Sequence, residues 1–252
     1  MPSGAERVTL HGEAMVSLVR TVGALAQAGI GRYAIVGGVA VAARLGQAHR
    51  ATADIDTVVD ETTPPDAVQA LLRLPDAAPD LSASHRVLVG GTKVEILGVG
   101  PVHDDDLEGI PDNDALFVAA HTWALDTATP LTLTAHRARA TAPVASSAAL
   151  VAMKLHAIGD RSASRGRDKR AGDAWDIYRL LLDRNGQGDI TRAIAGAPPT
   201  LQRLVAAAAE HVLVRNAART RSWLAAGDAA MASVTAAELR YVGERFLGGL
   251  AT

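Results

Sequence analysis

The stretch that decides the fold is Val36–Asp60, VGGVAVAARLGQAHRATADIDTVVD, because it places a glycine pair and two acids around one short helix. Gly37 and Gly38 follow an apolar run that predicts a strand, and the alanine-rich residues after them predict a helix. Residues 47–53 are polar and predict a loop. The β-branched run that begins at Asp54 predicts a second strand. The stretch therefore predicts a strand, a glycine turn, a helix and a strand in succession.

The two acids at the start of the second strand are Asp54 and Asp56. Residues two apart on a strand point to the same face, so the two carboxylates are expected side by side. A divalent cation between them would offset their repulsion, and Mg²⁺ prefers such oxygens and often binds together with substrate phosphates. The alternative is a strand end with two exposed acids, since two acids at this spacing are common.

The glycine pair predicts a phosphate site. Gly37 and Gly38 open a helix, where free backbone N–H groups and the positive end of the helix dipole attract a phosphate. Arg50 and Thr52, just before the acids, are candidates for further phosphate contacts. The alternatives are an ordinary glycine turn and a solvated loop arginine. A phosphate cradle next to paired carboxylates is typical of phosphoryl or nucleotidyl transfer.

A third acid lies on a predicted hairpin. Residues 87–89 and 93–97 flank Gly90-Gly91, which predicts two strands joined by a two-glycine turn. Glu95 has apolar neighbours, where an unpaired buried carboxylate would cost several kcal/mol. Three carboxylates on adjacent strands can hold two Mg²⁺ ions, and Glu95 can alternatively accept the proton of an attacking hydroxyl. The remaining alternative is an edge-strand residue that faces solvent.

The composition is that of an ordinary globular protein: 252 residues, 48% hydrophobic, 21% charged and without cysteine. The lack of cysteine excludes disulfides and thiol chemistry. No apolar run approaches the roughly 20 residues of a membrane helix, and the polar N-terminus does not resemble a secretory signal. We therefore expect a cytoplasmic protein that does not contact a membrane.

The charge is distributed unevenly. Residues 54–126 contain 15 acids and 3 bases, whereas the residues after Asp126 contain 17 bases and 10 acids. The middle of the chain is thus suited to cations and the last part to a polyanion, although solvated faces explain the same counts. The pattern becomes helical from Ser147 onward. It predicts an α+β domain over residues 1–140 and an all-helical domain over residues 141–252, with helices at about 150–158, 173–182, 199–217, 220–226 and 235–247.

Two features of the helical part are candidate functional groups. Lys154 lies on an otherwise apolar helix face, where it either extends to solvent or reaches an anion. Asp173 and Asp176 are three residues apart on the next predicted helix, so they share a face and can pair with Lys154 or Arg179. The alternative for Asp173 is an acid favoured by the helix dipole at a helix N-terminus.

A polar segment, residues 159–172, separates these two predicted helices. Serine, glycine and clustered cations predict a mobile loop that becomes ordered on the phosphates of a nucleic acid. Few aromatic residues accompany it in the sequence, so stacking of bases is not predicted. The candidate RNA-binding cations are Arg161, Arg165, Arg167, Lys169 and Arg170.

Four blocks of the sequence form a recognisable series: Gly37-Gly38 with residues 49–56, residues 94–97, residues 149–158 with Arg161, and residues 173–181. In this order they resemble the AbiEii/MenT-like nucleotidyltransferase toxins, a family within the DNA polymerase β-type superfamily. The sequence departs from the family pattern at two positions. Gly172 stands where the family usually has lysine or arginine, and the third carboxylate is a glutamate in place of the commoner aspartate.

The resemblance implies a nucleotidyltransferase-type mixed β-sheet domain followed by a helical domain that completes the active-site cleft. It implies transfer of NMP from an NTP with Mg²⁺ or Mn²⁺, which Asp54, Asp56 and Glu95 would bind, Glu95 alternatively serving as base. Gly37, Gly38 and Lys154 would bind the triphosphate, and Asp173 or Asp176 would orient the lysine.

The resemblance further implies the toxin of a toxin–antitoxin pair, with the 3′ end of tRNA as acceptor and an antitoxin protein as partner. Two alternatives remain at this point. One is a nucleotidyltransferase that acts on a protein or on a small molecule such as an antibiotic. The other is a catalytically silent module that binds RNA or a partner protein.

Overall fold

The computed structural model describes residues 6–62, 66–160 and 167–251. These residues form two compact units. The first contains the chain up to Pro101 together with His121–Ser146, and the second contains Val102–Ala120 and the chain from Ser147 onward. The division near residue 146 lies close to the predicted one near residue 140, but residues 102–120 belong to the second unit.

The first unit is built on a mixed sheet, to which the described residues contribute eight strands. The order across the sheet is β1-β7-β8-β2-β3-β6-β5-β4, so β2, β3 and β6 lie in its middle. The strands are β1 (Glu6–Thr9), β2 (Tyr33–Val36), β3 (Asp54–Asp60), β4 (Ala77–Pro79), β5 (Arg86–Val89), β6 (Thr92–Val99), β7 (Thr129–Ala135) and β8 (Ala138–Val144).

The pairing of the middle strands brings distant parts of the sequence together. Strand β3 runs antiparallel to β2, with Val36 opposite Asp56. On its other side β3 runs parallel to β6, which places Lys93 beside Asp54 and Glu95 beside Asp56. Because laterally paired residues of neighbouring strands point to the same face, Asp56 and Glu95 share one face of the sheet.

The helices of the described residues are α1 (Glu13–Gln27), α2 (Gly37–Leu45), α3 (Ala67–Leu72), α4 (Asp112–Asp126), α5 (Ser147–Asp160), α6 (Arg167–Arg184), α7 (Asp189–Ala195), α8 (Pro199–Ala209), α9 (Ala217–Leu224), α10 (Ala229–Ser233) and α11 (Ala236–Leu250). A 3₁₀ turn spans Asp104–Leu107, and a π-helical segment spans Glu210–Arg215. Among the described residues, no helix is both long and apolar enough to cross a membrane.

Apolar spacing explains the helices that the sequence predicts. In α1 the residues at helical spacing are buried: Met15, Leu18, Val19, Val22 and Leu25. Helix α2 ends at Gly46, whose φ of +80° is a left-handed conformation that glycine adopts without steric cost. Arg44 then ties the end of α2 to the sheet, donating to the carbonyl oxygens of Val144 and Ala145 at 2.5 and 2.8 Å.

One predicted helix is interrupted in the structure. The helix predicted over residues 199–217 is divided by the π-helical segment. Elsewhere, α3 is capped by Asp66, whose side chain accepts from the Gln69 N–H.

Candidate functional site

The face of β3 that carries the paired acids is partly open to solvent. Asp54 and Asp56 are half-buried and alternate with the buried Ile55 and Thr57. The predicted strand and the shared face of the two carboxylates are therefore confirmed. Ile55 and Thr57 point into the core, which fixes the register and prevents the acids from turning inward.

Gly37 lies directly against one of these acids. A Cβ atom at Gly37 would collide with the Asp56 carboxylate and would lie 2.7 Å from its Cγ. Gly37 also has a φ of +67°, a conformation that side-chain-bearing residues rarely adopt. Both observations require glycine here, and they place the Asp56 carboxylate at the first turn of α2, where the helix dipole favours negative charge.

Gly38 lies against the loop that precedes β3. A Cβ atom at Gly38 would lie 2.7 Å from Thr52 Oγ1 and 3.2 Å from Arg50 Nη2. The glycine pair thus contacts a hydroxyl and a guanidinium on one side and a carboxylate on the other. The structure brings together Gly37, Gly38, Arg50, Thr52 and Asp56, all of which the sequence singled out.

The N-cap residue of α2 is Val36, whose side chain makes no capping hydrogen bond. The first N–H groups of a helix have no partner within the helix, so an anion at this end is favoured by both hydrogen bonding and the dipole. The guanidinium of Arg50 adds positive charge at the same turn.

No protein-family model and no curated protein matches this chain in sequence.

Glu95 lies beside Asp56 in register but contacts other groups. Arg86 donates to Glu95 Oε2 through both Nε and Nη2 at 2.9 Å, and His85 Nε2 lies 3.7 Å from Oε1. The Glu95 side chain is 36% exposed, so its carboxylate is not fully buried. Because β6 is an inner strand of the sheet, Glu95 is not an edge-strand residue either. Among the described residues no three His, Asp or Glu side chains are grouped closely enough to hold a metal ion.

A cleft of about 580 Å³ in the first unit lies at the other end of β3. Its polar lining includes Asp60, Glu61, Asp66 and His85. With a rise of about 3.3 Å per residue, Asp60 is roughly 13 Å along the strand from Asp56. The acids of this cleft disfavour phosphate, so the glycine turn is the better anion site although it does not line this cleft.

Lys154, Asp173 and Asp176 form a buried cluster within the second unit. Lys154 Nζ lies 2.8 Å from Asp173 Oδ1 and 3.0 Å from Asp176 Oδ2, and the three side chains are 12%, 5% and 0% exposed. The sequence left open which aspartate acts with the lysine; both contact it. Helix α6 begins six residues before Asp173, so the helix-N-terminus explanation for this acid is wrong. Arg179 pairs with Asp183 instead.

Part of the segment predicted as an RNA-binding loop is helical. Arg161 and Arg165 lie outside the described residues. Arg167, Lys169 and Arg170 belong to α6, so the prediction of a loop is wrong for these three. Lys169 is exposed and Arg170 is half-buried.

Trp223 on α9 lies beside Arg170, a contact that sequence reasoning missed. The guanidinium carbon of Arg170 lies 5.4 Å from the centroid of the Trp223 ring, and the guanidinium carbon of Arg219 lies 5.8 Å from the same centroid. The few aromatic residues near this segment in the sequence gave no indication of this contact, which comes from a distant helix. The spacing of four residues between Arg219 and Trp223 on a helix was a usable signal, whereas the contact with Arg170 depends on the packing of α6 on α9.

Proposed function

We propose that this protein is a metal-dependent nucleotidyltransferase. The observation that carries the proposal is the glycine turn at the start of α2, packed against Asp56, Thr52 and Arg50. It combines an anion-binding helix end with paired carboxylates, which is the combination that transfer of a nucleotide requires.

The donor set fits a hard divalent cation. Asp54 and Asp56 lie on one face and offer carboxylate oxygens, which a hard cation prefers. These two residues would hold Mg²⁺ or Mn²⁺, with Glu95 as third carboxylate once it leaves Arg86. A cation bound there supplies Lewis-acid stabilisation of phosphate oxygens.

The chain's own groups then have distinct tasks. The N–H groups of Gly37 and Gly38 bind phosphate oxygens of the NTP, and Arg50 and Thr52 add charge and a hydroxyl at the same turn. Glu95, which lies beside Asp56, would accept the proton of the attacking hydroxyl if it is not a metal ligand. Lys154, predicted to bind triphosphate, is held by two aspartates within its own unit.

The acceptor we propose is RNA, such as the 3′ end of tRNA, because the second unit carries most of the basic residues after Asp126. Phosphate contacts supply affinity for RNA without sequence information. The resemblance to the AbiEii/MenT-like toxins supports this acceptor, and it supports a role as toxin with an antitoxin partner.

The test is transfer of radiolabel. The purified protein is incubated with Mg²⁺ and each of four α-labelled NTPs, in separate reactions that contain total tRNA, a protein pool or aminoglycosides. We expect label in the tRNA. Label only in the protein or antibiotic reaction would keep the enzyme class and refute the acceptor.

The matched variants are Asp54→Ala and Asp60→Ala, which remove carboxylates from opposite ends of β3. We expect Asp54→Ala to abolish transfer and Asp60→Ala to retain it. Transfer that survives in Asp54→Ala would refute the mechanism.

One observation favours a second candidate, a catalytically silent binding module. Glu95 is already neutralised by Arg86, which leaves two carboxylates rather than three for a cation. Calorimetry with Mn²⁺ separates the two candidates. The enzyme should show a saturable site that is lost in Asp56→Asn, whereas the silent module should show none.

A further inference from the structure

Two arginines share one indole on the surface of the second unit. Arg170 on α6 and Arg219 on α9 each lie within 6 Å of the Trp223 ring centroid, the range in which a guanidinium is attracted to an aromatic ring. We call these three residues the Trp223 cluster. Trp223 is half-buried and Arg219 is exposed, so the cluster is open to a ligand.

Among the side chains that the structure describes, none gives the cluster an acidic partner. No carboxylate of these described side chains lies within 4 Å of the Arg170 or Arg219 guanidinium. Arg170 Nε is buried and has no hydrogen-bond partner there either. Two like charges held beside one ring repel each other, and an anion that accepts from both would relieve the repulsion.

A π-helical segment comes directly before α9, the helix that carries Arg219 and Trp223. In the π-helical segment Glu210–Arg215 the Asn216 N–H donates to the His211 carbonyl oxygen at 3.0 Å, five residues back. Thr220 Oγ1 donates to the Val212 carbonyl oxygen at 2.7 Å in the core. A π-helical turn adds a residue and rotates the following helix, and such turns are frequent at functional sites.

We propose that the Trp223 cluster binds single-stranded RNA. The guanidiniums of Arg170 and Arg219 contact phosphates, and the indole offers a surface on which an unpaired base stacks. A simple anion would need only the charges, whereas the aromatic ring among them favours a polynucleotide. The choice of RNA among polynucleotides rests on the proposed function; the binding itself does not depend on catalysis.

The test is fluorescence anisotropy with a labelled 12-nucleotide single-stranded RNA at several KCl concentrations. The variants are Arg219→Gln and Trp223→Leu, and the matched control is Arg221→Gln. Arg221 is an exposed arginine of the same helix, and its offset of two residues from both Arg219 and Trp223 places it on a different face. Circular dichroism melting verifies that each variant is folded, and Trp223→Phe replaces Trp223→Leu if the latter is not.

We expect Trp223→Leu to weaken binding by about tenfold, the scale of one lost stacking contact. Arg219→Gln should lower the slope of log K against log salt by about 0.7, the value for one phosphate contact on a single strand. Arg221→Gln should change both quantities less. Equal effects of Arg219→Gln and Arg221→Gln would overturn the proposal.

Two further ligands test what the cluster recognises. A single-stranded DNA of the same sequence should also depend on Trp223, because stacking does not require the 2′-hydroxyl. A poly-glutamate peptide should bind no more weakly to Trp223→Leu than to the wild type. An equal loss with the peptide would show a surface for acidic protein and would overturn RNA as the ligand.

Failure of this inference can be distinguished from failure of the proposed function. Asp54→Ala should bind the RNA as the wild type does, because its substitution lies in the first unit. RNA binding that requires Trp223 in a protein without transfer activity would refute the enzyme and retain the cluster. Nucleotide transfer to RNA that is unchanged by substitution of Trp223 and Arg219 would retain the enzyme and refute the cluster as an RNA site.

Discussion

The acids of the sheet and the acids of the helical unit differ in how their charge is balanced. Asp54 and Asp56 are half-buried on a strand face beside a glycine turn, whereas Asp173 and Asp176 are buried around the ammonium of Lys154. A buried carboxylate must have a partner in the fold, because water cannot solvate it. A half-buried one retains solvation and can exchange that water for a ligand.

This difference in burial indicates which acids are available to bind a ligand. The helical cluster is an internal ion-pair group whose removal should affect the stability of the fold. The sheet acids contribute little to the core and can be altered with less cost to folding. Four predictions test this contrast, from the largest expected effect to the smallest.

Lys154→Ala should have the largest effect, since it leaves two buried carboxylates without their ammonium. We expect the free energy of unfolding to fall by about 3–5 kcal/mol, measured by urea titration with tryptophan fluorescence. Arg192→Ala, which breaks an exposed pair with Asp189, is the control and should cost less than about 1 kcal/mol. Similar losses in the two variants would contradict the contrast.

Gly37→Ala should be next, and Gly29→Ala is its matched control. Both glycines have nearly the same φ, +67° and +66°, but a Cβ at Gly29 meets nothing within 4 Å. Gly29→Ala should lower the free energy of unfolding by about 1–2 kcal/mol, from backbone strain alone. Gly37→Ala should lower it by about 1–3 kcal/mol more, because the added Cβ displaces the Asp56 carboxylate. Equal thermal denaturation of the two variants would show that the carboxylate moves freely.

Tyr33 offers a pH test within the sheet unit. Its hydroxyl is buried with no hydrogen-bond partner in the described residues, and burial raises the pKa of Tyr33 from 10.0 to about 12. Between these pH values the unfolded chain loses the proton first, so stability falls as pH rises.

The wild type should therefore lose about 1 kcal/mol more than Tyr33→Phe between pH 9 and pH 11, as measured by urea unfolding. Parallel pH profiles of the two proteins would mean that the hydroxyl is solvated in the folded state.

Arg86→Gln should have the smallest effect on stability. The Arg86 and Glu95 side chains are 28% and 36% exposed, so their pairing is worth less than about 1 kcal/mol. The same change should strengthen Mn²⁺ binding in calorimetry, because it frees the carboxylate beside Asp56. The double variant Arg86→Gln with Glu95→Gln should lose that gain. Unchanged affinity in Arg86→Gln would remove Glu95 from the proposed metal site.

Local pattern was sufficient where the chemistry is local. The glycine turn, the shared face of Asp54 and Asp56 and the hairpin at Gly90-Gly91 all follow from spacing along a few residues. Strands β1, β4 and β8 were not predicted. They are three to seven residues long, and β8 consists mostly of small residues, so their strand conformation depends on pairing with distant partners.

The sequence by itself determined which residues carry charge, where glycine interrupts an element and which acids share a face. Only the tertiary structure decided their partners. The packing of α5 on α6 places Lys154 between two aspartates. The register of β5 on β6 pairs Glu95 with Arg86. The packing of α9 on α6 brings Trp223 next to Arg170. The reason is physical: a spacing of two or four residues fixes direction along one element, whereas a partner from elsewhere in the chain is selected by burial of the whole core.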